Sequence, residues 1–189
     1  MTEDPKDDVT VKKWLVPDRV IHLIPDSRLT IDGIFLLPTK VEDNDVALYL
    51  DQDAGFVKSA RMEGVDLSLA TDKEKSRYLS EYSAGDVIAQ ILLGVVGNLS
   101  TDYLKMIAIA TRVRIVSVLA GFPPGHSSDR VQISIAELEV TETTRQARGV
   151  KIEMPVGYFA QSDDTVTDIL AQALGKLDKS IGSDRAIED

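Results

Sequence analysis

No cysteine occurs anywhere in the 189 residues. Disulfides, thiolate nucleophiles and cysteine-ligated zinc or iron–sulfur centres are thereby excluded. Histidine is almost as scarce, with His22 and His126 the only two. His22 stands in the apolar run VIHLI, where a satisfied, half-buried imidazole is expected. His126 lies beside Ser127, Ser128 and Asp129 in the loop 121–129. Sequence neighbours do not face one another as a triad requires, because a triad is assembled from distant segments. No G-x-S-x-G elbow is present either, and no phosphate-cradling G-x-x-x-x-G-K-[ST] or G-x-G-x-x-G.

Positive charge is in deficit, with 21 Lys and Arg against 31 Asp and Glu, a formal charge of −10. Binding to a phosphate backbone depends on Lys and Arg displacing counterions, so nucleic acid is not an expected partner. The closest basic pairs are Arg112/Arg114 and Arg145/Arg148, and neither is interleaved with aromatics as a single-strand platform would be. Phe35, Tyr49, Tyr158 and Phe159 are expected in the core or at its rim, and Trp14 as a latch on the first strand. The longest uncharged run, Val87 to Thr101, falls short of the roughly 20 residues a membrane span needs. MTEDPKDDVT has neither the basic start nor the apolar stretch of a secretory signal. The expectation is a soluble, cytoplasmic protein with no membrane partner and no cofactor.

What is present suits a globular fold, since 43% hydrophobic and 28% charged residues can build a core. One domain over 9–179 is expected, with room for a subdivision near 72–76. Polar, aperiodic tails are expected at 1–8 and 180–189.

The first third reads as strands at Val9–Val16, Arg19–Ile24, Leu29–Leu37 and Val46–Leu50, with another at Val65–Ala70. Proline and acidic turns separate them. The centre reads as helical. Ser83 and Asp86 form a capping pair, Val87, Ile88, Ile91, Leu92, Val95 and Leu99 share a helical face, and Gly97-Asn98 is a stop. A second helix continues from Ser100 to Ala120 before Gly121 and Pro123-Pro124, although Val113–Leu119 is also rich in β-branched residues. Val131, Ile133 and Ile135 alternate, then Leu138 and Val140 take over. That slip predicts a β-bulge near Ala136-Glu137, or a strand serving two faces. Val150–Val156 returns as the partner strand. A last helix follows Ser162, with Asp163 and Asp164 in its first turn and Val166, Ile169, Leu170, Ala173, Leu174 and Leu177 on its buried stripe. The fold class expected is α+β: a β-rich N-terminal half, then helix–helix–hairpin–helix, with a mainly antiparallel sheet.

One short segment points to chemistry. An apolar strand leads into Asp51-Gln-Asp53-Ala54-Gly55, and carboxylates at a strand end can hold Mg²⁺ and present a nucleophile to phosphorus. The motif resembles the first motif of haloacid-dehalogenase-type phosphatases. That resemblance implies Asp51 as nucleophile and Asp53 as the residue handling the proton, with Asp163, Asp164 and Asp168 matched to a later metal-binding acidic motif and Asp168 as its ligand. Ala54-Gly55 departs from the family's usual following pair. The same five residues also read as a hairpin turn.

No nucleophile, base and oxyanion donors converge otherwise. The expected function is therefore a non-catalytic interaction, adaptor or structural module. It would bind a protein partner or self-associate through apolar surface around the central helices. An Asp51/Asp53 Mg²⁺-dependent phosphohydrolase is the alternative.

Overall fold

A computed structural model describes residues 9–80, 87–96, 100–119, 130–140, 145–160 and 163–184. The elements in chain order begin with β1 (Thr10–Trp14), α1 (Asp18–Leu23), α2 (Asp26–Leu29), β2 (Gly33–Leu36) and β3 (Lys40–Val41). Then come β4 (Ala47–Leu50), α3 (Asp51–Met62), β5 (Leu67–Leu69), β6 (Ser76–Leu79) and β7 (Val87–Val96). The last are α4 (Thr101–Leu119), β8 (Arg130–Val140), β9 (Arg145–Pro155) and α5 (Asp163–Asp184). The class is α+β.

A six-stranded sheet runs β1-β9-β8-β7-β2-β5, and a three-stranded sheet runs β3-β4-β6. Both are mixed. In the larger one β1/β9, β9/β8 and β7/β2 are antiparallel, while β8/β7 and β2/β5 are parallel. Parallel neighbours need a crossover, and α4 supplies it between β7 and β8.

The centre of the sheet is buried on both faces. On one, Ile91, Leu93, Val131, Ile133, Ile135, Val150 and Ile152 pack with Phe56 of α3, Ile107 of α4 and Leu170 of α5. On the other, Val96, Ala136, Leu138, Phe35 and Leu37 pack with Val20, Ile21 and Ile24 around α1 and with Leu29 of α2. Gly94 sits between the second set of side chains. A Cβ there would meet Leu138 Cδ1 at 2.8 Å and Leu37 Cδ2 at 3.0 Å.

This two-sided burial overturns the helix expected at 87–99. Residues 87–96 form the strand β7, central in the sheet between β8 and β2. A strand covered on both faces is apolar at nearly every position, and a continuous apolar run satisfies helical and strand periodicities alike. The order after β6 is accordingly strand–helix–hairpin–helix. The same cause resolves the phase slip in β8. Its pairing with β9 is regular from Arg130↔Pro155 to Val140↔Arg145, with no bulge at Ala136-Glu137. Val131, Ile133 and Ile135 belong to one face and Ala136 and Leu138 to the other, so this strand serves two faces.

Two further strands expected near the start are otherwise built. Pro17-Asp18 and Pro25-Asp26 open the short helices α1 and α2, with proline at the N-cap and aspartate in the first turn. Aspartate there answers the helix dipole. The Arg19–Ile24 run is therefore mostly helix, and Leu29–Leu37 contributes strand only from Gly33. His22 is exposed on α1 rather than half-buried in a strand.

Strands over Thr10–Trp14, Ala47–Leu50, Leu67–Leu69 and the β8–β9 hairpin match expectation, as does helix through Val113–Leu119. Trp14 stands opposite Gly149, where a Cβ would meet the indole Cε3 and the Trp14 carbonyl oxygen, each at 2.9 Å. Only glycine fits that approach without moving backbone. Phe35, Tyr49, Tyr158 and Phe159 are all buried. α5 runs to Asp184, past Ser180, where the sequence places the start of the tail. The expected tails at 1–8 and from Arg185, the caps at Ser83 and Ser162, the Gly97-Asn98 stop and the His126 loop lie outside the described residues. No described helix is long and apolar enough to cross a membrane.

Candidate functional site

The Asp51–Gly55 segment is the first turn of a helix, not a hairpin turn. β4 ends at Leu50 and α3 begins at Asp51. Asp53 occupies the third helical position and its Oδ2 accepts the Leu50 backbone N–H at 2.8 Å. One of the unpaired donors of the helix start is satisfied in this way. Phe56, Val57 and Ala60 follow at helical spacing and are buried, while Gly55 faces open space.

The two aspartates of the motif part company here. Asp51 is exposed. Asp53 is 4% exposed, and its Oδ1 lies 2.8 Å from an Nη of Arg114, itself 2% exposed. The guanidinium carbon stands 5.2 Å from the centroid of the Phe56 ring, within cation–π range. Arg114 thus bridges α4 to the start of α3. Among the described residues its buried Nη1 has no hydrogen-bond partner.

Burial raises the Asp53 carboxyl above its ordinary range, against the pull of Arg114 and the Leu50 N–H. Burial likewise lowers the Arg114 guanidinium, against the pull of Asp53. Desolvation dominates on both sides, which is the condition under which a buried ion pair contributes little net stability yet is damaging to break.

Asp168 is exposed on α5, a helix packed on α4 and β9. Among the described residues no three His, Asp or Glu side chains gather where a cation could be held. The carboxylates of Asp51, Asp53 and Asp168 are not brought together as one ligand set. The basic pairs disperse as well. Arg114 is buried while Arg112 is half-exposed beside it. Arg145 is taken up by an ion pair with Asp26 and a hydrogen bond to the Ile24 carbonyl at 3.3 Å.

A second buried polar group ties the two sheets together. The Tyr49 hydroxyl reaches the Leu36 carbonyl at 3.3 Å and Thr71 Oγ1 at 3.1 Å, and Thr71 continues to Ser76 Oγ at 2.9 Å. Burial pushes the phenol up to about 12. Its hydrogen bonds to the Leu36 carbonyl and to Thr71 give it a structural role between the sheets.

Beyond the ion pair, toward the C-terminal end of α3, α3 and α4 part to leave an open groove of about 650 Å³. Ser59, Met62 and Glu63 form one bank, and Ile109, Arg112, Val113, Val116 and Ser117 the other. Met62 is 78% exposed and Val116 62%. Ile109, Val113 and Val116 recur at the spacing of one helical face. Leu104, Ile107, Ala108 and Ile115 of α4 are buried in the core, Ile109 and Val113 are partly buried against it, and Val116 beyond them is exposed.

In the sequence Arg114 was read only as half of the basic pair Arg112/Arg114, and neither Met62 nor Val116 was read as part of a site. The only available signal was the excess of apolar positions on α4, more than one buried face can use. Comparison with known proteins finds no matching family model, no similar curated protein and no similar solved structure.

Proposed function

We propose that the chain is a non-catalytic protein-interaction module, adaptor or structural, whose docking surface is the α3–α4 groove. The observation that carries this reading is the meeting of two exposed apolar side chains, Met62 and Val116, on one groove beside the partly buried Ile109 and Val113. Large apolar side chains scattered singly on a surface need no explanation, but a contiguous set rimmed by polar residues marks an interaction site. The Asp53–Arg114 pair supports the reading by fixing how α3 lies on α4, and therefore the shape of the groove. It also occupies the carboxylate that a phosphohydrolase of the Asp-x-Asp type would need.

The test is a photo-reactive amino acid placed at Ser117, on the groove rim, in the full chain inside cells. A covalent adduct with a protein is expected, lost when Val116→Asp is added. Absence of any adduct refutes the reading. The catalytic alternative has its own measurement. Mg²⁺-dependent hydrolysis of p-nitrophenyl phosphate by the native chain, abolished in Asp51→Asn, would replace the non-catalytic account.

A further inference from the structure

We propose that the polar end of the second face of the six-stranded sheet binds a small phosphate-bearing ligand, seated on Lys12, Lys151 and Ser134. This site is separate from the α3–α4 groove and does not depend on it.

The strand register places the three residues in one row. Lys12 of β1 stands directly opposite Lys151 of β9, and Lys151 directly opposite Ser134 of β8. All three share a face, because side chains alternate along a strand. Trp14, Ala136, Leu138 and Ala147, an even number of positions away on the same strands, pack in the cluster around α1 and α2. Val11, Ile133, Ile135, Val150 and Ile152, an odd number away, pack on the other face.

Two features of the row are unfavourable in the chain by itself, and one ligand relieves both. Like charges directly opposite on neighbouring strands repel, yet Lys12 and Lys151 form such a pair in a chain that is short of positive charge. Among the described residues neither lysine makes an ion pair. Protection of the sheet edge accounts for Lys12, since lysine on an edge strand deters strand addition. It does not account for Lys151, half-buried one strand further in. The second feature is Ser134, which is 0% exposed and whose Oγ has no hydrogen-bond partner among the described residues. Leaving a buried hydroxyl unpaired is costly.

A doubly charged group with several acceptor oxygens answers the two lysines and the hydroxyl together. A phosphate monoester, with a charge of about −1.5 to −2 near pH 7, has that chemistry, whereas a single carboxylate balances one lysine. The Ser134 hydroxyl reaches the phosphate once the Lys151 side chain opposite it turns outward onto the same group. Glu153, next along this face of β9 and opposite Thr10 and Gln132, sets the limit. Its carboxylate repels a second phosphate, so the seat takes one small phosphate and not a nucleic-acid backbone, which the formal charge of −10 also repels.

Titration of inorganic phosphate into the full chain, at neutral pH and constant ionic strength, tests the proposal. Fluorescence of Trp14, the sole tryptophan and two residues from Lys12, is one readout, and the phosphorus NMR line width of the ligand is the other. Saturable binding is expected with a dissociation constant of about 0.1–5 mM, since exposed charge pairs are individually weak. Chloride and acetate should give no such response. Lys151→Met should weaken binding at least about tenfold and Ser134→Ala about threefold, as for lost hydrogen bonds to charged and neutral donors. Glu153→Gln should tighten it. Urea melts without phosphate separate lost binding from lost folding, and Ser134→Ala should leave the midpoint unchanged or higher. Glycerol 3-phosphate distinguishes the source of the group. Tighter binding of the ester assigns the seat to phosphate monoesters, equal or weaker binding assigns it to phosphate itself, and either supports the proposal. No saturable response in either readout up to about 50 mM phosphate overturns it. So does an equal response to acetate, or binding that folded Lys151→Met or Ser134→Ala leaves unchanged.

Discussion

Removing the Arg114 guanidinium would strand the Asp53 carboxylate, 4% exposed, with the Leu50 N–H as its remaining donor. Removing the carboxylate instead would strand a guanidinium that is 2% exposed. Breaking a buried pair from one side typically costs about 3–5 kcal/mol, a large share of the roughly 5–15 kcal/mol that holds a domain folded. Arg114→Met keeps the bulk and a sulfur against Phe56, and Asp53→Asn keeps an acceptor for the Leu50 N–H. Each should still destabilise by about 3–5 kcal/mol, because each leaves an uncompensated charge.

The double variant should lose only about 1–2 kcal/mol. No charge is then left behind, and the native pair already strands Arg114 Nη1. The coupling should exceed about 3 kcal/mol, at or above the top of the usual range for contacting residues. Urea denaturation followed by circular dichroism measures it, with the fluorescence of the sole tryptophan, Trp14, as a second probe. The pH dependence supplies an internal check. In Arg114→Met the Asp53 carboxyl is raised by burial without an opposing cation. Its folded pKa then lies above its unfolded one, and the stability it contributes is present at low pH and lost as pH rises through the folded value. The Arg114→Met deficit should therefore be smaller near pH 4 than near pH 8, while the Asp53→Asn deficit should run the other way, because the native Asp53, itself raised by burial, contributes its stability at low pH. Single losses that add within about 0.5 kcal/mol would refute the reasoning.

Three other outcomes follow from the packing. Gly149→Ala should cost about 1–3 kcal/mol and loosen β1, since the new Cβ meets the Trp14 carbonyl oxygen at 2.9 Å. Gly94→Ala should sit at the low end of that range, because its near neighbours are methyl ends of Leu138 and Leu37 that can turn aside; paired urea melts rank the two. Tyr49→Phe should cost about 0.5–1.5 kcal/mol, the net worth of a lost hydrogen bond, because the Leu36 carbonyl keeps the Ala70 N–H at 2.9 Å. In the native chain burial raises the Tyr49 phenol to about 12. Stability linked to it is lost as pH rises through that value, so alkaline absorbance titration of Tyr49→Phe should lack a step near 12 that the native chain shows.

The sequence made some elements plain and concealed others for identifiable reasons. β9 and α5 each bury one face in the ordinary way, so Val150–Met154 shows alternation and Val166–Ala173 a helical stripe. β7 is covered on both sides, and an all-apolar strand carries no period to read. α3 was concealed by its own start. Asp51, Asp53 and Gly55 are turn-forming residues, and only Phe56, Val57 and Ala60 carry its stripe. The candidate site was least legible of all. Asp53 attracted attention as a catalytic residue, whereas its partner Arg114 lies 61 positions onward in a run of ordinary helical spacing. Nothing local to either residue announces that they meet. Met62 and Val116 were hidden by the reverse circumstance, since an apolar residue in an apolar helix reads as core until its neighbours are in place.

Amide hydrogen exchange of the chain alone and in extract of the cells that make it tests the central claim most directly, because it locates any association on the chain without a mutation. Slower exchange in the extract, confined to the C-terminal turns of α3 and the Ile109–Ser117 part of α4, is the result the account predicts. Identical exchange in both, or protection elsewhere with these two segments unchanged, would contradict it.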